Sequence, residues 1–274
     1  GSEMCIRDRF NMTSQNNNDM EFNHIPISSD TGDALLKPAA SSIGNAVGTV
    51  LDGIFHVVLD PVRKFNIQKE HDLKLFQKEI QEEVNRIPFE YRDDSKVGIV
   101  LKSIEDSRYQ LNEVDIRILF EKLISASFDS RKNANITPIF STILSNMTPK
   151  EAKLLEMIYK NPYSLVTICK PKIVNNDTSA SRIVGRTHLL FKSEWSTSYD
   201  LELSILSSHN LINVHEDTYL THEFFSVDYE KYKKYLDDLN PHFHLNENEE
   251  LSFEKSYVSL TELGQLFCDI VFEN

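Results

Sequence analysis

Ala39-Ala40-Ser41-Ser42-Ile43-Gly44-Asn45-Ala46-Val47-Gly48-Thr49-Val50-Leu51-Asp52-Gly53-Ile54-Phe55-His56-Val57-Val58-Leu59 is a stretch of 21 residues with one charge and three of the chain's eight glycines. Its reading decides between a membrane-acting protein and a helical one that packs in water. A turn of about 100° per residue gathers Ile43, Val47, Val50, Ile54, Val57 and Val58 on one stripe. Asn45, Thr49, Asp52 and His56 fall opposite. Ala40, Gly44 and Gly48 form a four-residue step beside the stripe, where two helices can approach backbone to backbone. At ~1.5 Å per residue the run spans roughly 31 Å, close to the ~30 Å of a bilayer core. The energy does not favour a span. Nine Val, Leu, Ile and Phe residues contribute about −0.3 to −0.6 kcal/mol each, and one central Asp costs ~2.5–3.5 before Asn45 and His56 are counted. An amphipathic helix on a neighbouring helix is the preferred reading. A segment that inserts after a trigger is kept as the alternative.

Composition narrows the classes. Residues 1–9 back-translate to a sequencing-library adaptor read in frame and are set aside from fold reasoning. Residues 10–33 are polar and read as a disordered leader, with no apolar core of a secretory signal. Cys169 and Cys268 then stand 99 positions apart without a CxxC pair, as expected of a reducing, cytoplasmic setting. The net charge of −13 argues against a nonspecific polyanion binder. The acid is concentrated at 228–274, where eleven Asp or Glu face four Lys.

Periodicity predicts a helix over 66–87, with Leu73, Phe76, Ile80, Val84 and Ile87 as its buried stripe and Pro88 as its stop. Further helices are expected at 94–109, 112–128 and 137–146. Another opens at Thr148-Pro149-Lys150-Glu151, where Thr148 is the N-cap and Glu151 the capping-box carboxylate. From 148 onward the expected order changes. A strand at 164–169 follows, then a polar irregular stretch at 170–192, a helix at 193–209 and a turn plus strand at 210–214. After that come a strand near 218–222, a helix over 228–239, a strand at 252–258 and a closing helix from Thr261. The fold class expected is therefore mainly α. A helical bundle at 34–146 would precede a smaller α+β winged-helix-like domain at 147–274.

Three blocks carry a family resemblance. They are Leu36-Lys37-Pro38-Ala39-Ala40 with Ile43-Gly44 and Val47-Gly48, the run Glu113 to Phe128, and Thr137-Pro138-Ile139-Phe140 leading to Met147-Thr148-Pro149-Lys150-Glu151-Ala152. With the closing Leu260 to Phe267, the chain resembles the abortive-infection alpha (Abi-alpha) family of bacterial and prophage-borne proteins. The resemblance implies phage defence, in which an infected cell stops growing or dies before the phage matures. It supplies no catalytic residues to carry over.

Enzyme constellations are not expected. His242-Phe243-His244 near Glu247, Glu249 and Glu250 has metal-ligand chemistry but reads as a solvated acidic loop, so no metal and no cofactor are assigned. Ser125, Ser127 and Ser130 lack a GxSxG elbow. The helix expected to enter a DNA groove, 194–202, carries no Lys or Arg, whereas groove readers need cations for phosphate and base edges. Lys170, Lys172, Arg182, Arg186 and Lys192 against Asp177 give the neighbouring stretch a local +4. The reading is a non-enzymatic phage-defence protein acting through a protein partner or self-association. Ala40, Gly44 and Gly48 are its contact line, and Trp195, Lys170, Lys172, Arg182 and Arg186 a candidate partner surface. The alternatives are a membrane effector inserting 39–59, which makes the chain peripheral to the membrane, and a nucleic-acid-binding regulator using 170–192.

Overall fold

Helix termini written into the sequence set the first half of the structure. The computed structural model of the chain describes residues 48, 50–55, 67–191, 194–197, 199–216 and 218–273. The adaptor and leader stretches, and Ala40 and Gly44, lie outside the described residues. Helix α1 (Ile67–Asn85) ends just before Pro88 and buries Leu73, Phe76, Ile80 and Val84. Helices α2 (Val97–Ser107), α3 (Val114–Ser127) and α4 (Pro138–Ser145) follow, and α5 (Pro149–Lys160) opens on the capping box of Thr148 and Glu151. Helix α3 is the hub. It touches α1, α2, α4 and α5, and ten of its fourteen residues are buried, Arg117, Glu121, Ser125 and Ser127 among them, so burial runs round the rod rather than along one apolar stripe.

Residues 50–55 are helical and sit on α1. Leu51, Ile54 and Phe55 are buried, Phe55 meets Phe76 edge-on at 6.2 Å, and Gln77 Nε2 donates to Asp52 Oδ1 at 3.1 Å. A Cβ placed on Gly48 would lie 3.4 Å from Gln81 Nε2 of α1. No helix among the described residues is long and apolar enough to cross a membrane.

The second half overturns the expected fold class. Its centre is a pair of long strands, β1 (Leu165–Asn175) and β6 (Glu249–Leu260), antiparallel from Leu165↔Ser259 to Asn175↔Glu249. Strands β3 (His188–Phe191) and β4 (Glu194–Ser196) extend the sheet beyond β1, β2 (Ser181–Ile183) pairs with β1 at its far end, and β5 (Ile212–His215) lies beside β6. The order is β4-β3-β1-β6-β5 with β2 alongside β1. The protein is thus mixed α+β, built around a substantial antiparallel sheet, and not a mainly α chain with a small winged-helix-like appendage. Helices α6 (Asp200–Ser208), α7 (Glu223–Leu239) and α8 (Glu262–Val271) complete it.

The correction has a physical cause. Val166 and Ile168 join the large core with α3 and α5, while Cys169, of the opposite parity, joins Tyr229, Tyr232 and Leu236 of α7. Only that first stretch of β1 is apolar on both faces, and only that stretch reads as a strand. Beyond it Lys170 and Lys172 replace the core residues, so 170–192 looks irregular although it holds the end of β1 and all of β2 and β3. The helix expected from 193 starts at Asp200, because 194–196 pair with β3. No strand forms at 218–222, and α7 begins at Glu223. The core that begins at Leu51 runs without a break to Val271. Gly264 lets α8 press on the Leu211 backbone, where an added Cβ would overlap the Leu211 carbonyl.

Candidate functional site: an aromatic groove at the start of α7

The turn joining α5 to β1 carries two successive left-handed residues, Tyr163 (φ 61°) and Ser164 (φ 53°). Neither is Gly, Asn or Asp, and each costs roughly 1–2 kcal/mol in that conformation. Ser164 Oγ donates to the Tyr159 carbonyl at 3.2 Å, and the Asn161 amide to the Leu165 carbonyl, which locks the turn. The strained geometry throws Tyr163 outward, 79% exposed, with its ring 6.3 Å from Phe225. Phe225 in turn meets Phe224 at 4.9 Å, and Phe224 is 52% exposed.

Between this turn and α7 lies an open groove of about 620 Å³ whose lining includes Pro162, Leu190, Phe224, Phe225 and Val227. His222 fixes the start of α7 by accepting the Phe224 N–H on Nδ1 at 3.2 Å. Asp228 is the inner acid of the groove. It accepts from Thr167 Oγ1 at 3.1 Å, stands 4.0 Å from Lys231 Nζ, and burial raises its carboxyl above the usual range.

Behind the groove α7 is held by aromatic packing. Tyr232 is fully buried, with its hydroxyl 3.0 Å from His188 Nδ1 and its ring 4.8 Å from Trp195 and 5.0 Å from Phe253. Tyr229 donates to the Ser256 carbonyl at 2.8 Å. Lys255 Nζ lies over Tyr219, Tyr229 and Phe253 at 5.3–5.8 Å. Desolvation lowers the His188 pKa, so the ring stays neutral. Burial pushes the Cys169 thiol and both tyrosine hydroxyls up, which makes that thiol a poor nucleophile.

The residues singled out from sequence are dispersed. Trp195 is half-buried against Tyr232. The basic stretch meets acids from elsewhere: Lys170 pairs with Glu216 at 2.7 Å, Lys172 with Glu254 at 3.9 Å and Arg182 with Glu249 at 3.2 Å. Arg186 is exposed and gives its carbonyl to His188 Nδ1 at 3.0 Å. Among the described residues no three His, Cys, Asp or Glu converge as metal ligands. Sequence reasoning missed Tyr163, Phe224 and Val227. The Phe224-Phe225 pair in the first turn of α7 was the available signal, and nothing local announces a left-handed Tyr-Ser turn.

Fold and groove together define a mixed α+β protein with an exposed aromatic cleft. The chain belongs to the abortive infection alpha family, whose model matches residues 68–271. That span contains the second and third sequence blocks and the closing helix, and excludes the first block at 36–48. Membership points to a role in abortive-infection phage defence. No curated protein and no solved structure matches the chain.

Proposed function

We propose that the protein is a non-enzymatic, cytoplasmic component of phage defence that acts by gripping a protein partner in the groove at the start of α7. The observation that carries this reading is an open groove lined by Phe224 and Val227, both exposed, beside a strained turn whose exposed Tyr163 ring lies 6.3 Å from the groove's Phe225. Strain of this kind persists where surrounding structure maintains it and clusters at ligand clamps. Aromatic side chains beside a pocket are the usual anchors of an interface.

The occupant is a partner segment that offers an apolar side chain to the cleft and a basic one to Glu223 and Asp228. Charge complementarity supports that choice, because the chain carries −13 and a second copy would bring the same sign. Buried, unpaired Cys169 and Cys268 support a reducing location.

The test is plating efficiency of phage on cells expressing Val227→Glu or Tyr163→Asp. Protection is expected to fall at least tenfold, while circular dichroism and melting stay those of the parent. Full protection by both folded variants would remove the groove from the mechanism. A concentration-dependent dimer that both substitutions dissolve would overturn the foreign partner in favour of a second copy.

A further inference from the structure

Helix α1 carries an acid into a part of the core that already holds an ion pair. Arg117 Nε of α3 lies 3.3 Å from Glu79 Oε2 of α1 and 3.4 Å from Glu121 Oε1 one turn further along α3. The Arg117 and Glu121 side chains are 8% and 9% exposed, and Glu79 is 30%. Arg117 Nε stands at contact distance from both carboxylate oxygens, yet none of the three atoms is aligned for a hydrogen bond. Arg117 Nη1 donates instead to the Leu111 carbonyl at 3.3 Å. One guanidinium cannot neutralise two carboxylates, and two ionised acids sharing a buried site repel. Within α3 the pair has Arg ahead of Glu, the weaker order for a helix, so helix propensity does not account for it.

The surrounding charges are engaged elsewhere. On α1, Glu83 faces Lys122 at 3.9 Å and Arg86. Asp52 of the segment above α1 takes Gln77. On α2, Asp106 holds Lys102 and Ser141, and Glu105 holds Arg108. Helix α4 has no titratable side chain. On α5, Glu151 caps its own helix, Glu156 pairs with Lys160, and Lys150 pairs with Glu202 of α6. On α8, Asp269 accepts from Tyr159 and Gln265.

We propose that Glu79, Arg117 and Glu121 form a latch closed by one proton, and that loss of this proton releases the outer layer, α1 with residues 50–55, from α3. The layer is suited to separate opening. Its main support is α3, and residues 50–55 ride on α1 through Phe55–Phe76 and Asp52–Gln77. Glu121 holds the proton. Burial and the neighbouring Glu79 carboxylate, opposed by Arg117, push its carboxyl up to about 8. The folded pKa lies above the free value of 4.5, so the closed form binds the extra proton between those values. The latch is tight below that window and weakens as pH rises through about 8.

Hydrogen–deuterium exchange of the full chain, corrected for intrinsic rates, tests this at pH about 6.5 and about 9. Exchange in 67–85 is expected to rise on the order of tenfold at the higher pH while β1 and β6 hold. In Glu121→Gln, which keeps shape and cannot ionise, that rise disappears. Glu79→Gln removes the repelling charge from the more exposed side and is read the same way if the first variant fails to fold. No rise in the parent, a uniform rise across both strands, or an undiminished rise in the folded Gln variant overturns the latch.

Discussion

Two amphipathic helices, α1 and α7, cover the core with different chemistry. They are 19 and 17 residues long, and each lays one apolar stripe on its support. Helix α1 adds a carboxylate to a buried ion pair and leaves three polar atoms out of hydrogen-bond alignment. Helix α7 inserts two tyrosines whose hydroxyls each find a partner, Ser256 and His188. Neutral hydrogen bonds can be fully satisfied in a packed site, whereas an odd charge cannot. One interface therefore responds to protons near neutrality. The aromatic packing beneath α7 does not, because burial moves His188 down and Tyr229, Tyr232 and Cys169 up, away from that range, while Asp228, which burial raises, stands in the groove.

The comparison breaks most strongly at Arg117. Arg117→Met strands Glu79 and Glu121 without a cation, and urea unfolding at neutral pH is expected to lose about 3–5 kcal/mol. Glu121→Gln should sharpen the contrast from the other side. It flattens the alkaline decline in stability, with a gain on the order of 2 kcal/mol at high pH and little change in mild acid. The acid limb draws on other groups, among them Asp129, whose two hydrogen bonds from the Arg131 guanidinium, at 2.8 and 2.6 Å, hold its carboxyl below the usual range. Its stabilisation is present above the free value of 3.8 and is lost as pH falls through the lowered pKa. Asp129→Asn is thus expected to shallow the acid limb of a pH–stability profile and leave the alkaline limb alone.

Under α7 the effects are smaller and independent of pH near neutrality. Tyr232→Phe removes the bond to His188 and keeps the ring among Trp195 and Phe253, for a loss of about 1 kcal/mol in thermal or urea melts. Lys172→Ala, which cuts a loose pair to Glu254 at 3.9 Å, should change stability by no more than ~0.5 kcal/mol. A large loss there would mean that the basic stretch is a structural element in its own right.

Most of the helical layer was legible. Pro88 after α1, Pro138 at the start of α4 and the Thr148–Glu151 box are signals within a few residues of the boundary they set. The sheet was legible only where β1 is covered on both faces. Lys170 and Lys172 read as solvated surface because the residues opposite them, Glu254 and Ser252, lie some eighty positions away. Trp195 read as a free anchor because Tyr232, which packs against it, also lies far along the chain.

The sequence by itself determined where the helices of the first half begin and end, the burial of the Leu73–Val84 stripe, and the family. Capping, proline stops and helical spacing are local, since each helix bond spans four residues. Tertiary structure alone decided the size of the sheet, the neutralisation of the basic stretch and the groove beside Tyr163. It also decided that Glu121 keeps its proton. Strand partners, ion pairs and desolvation depend on what distant parts of the chain bring alongside, and no window of sequence contains both sides of such a contact.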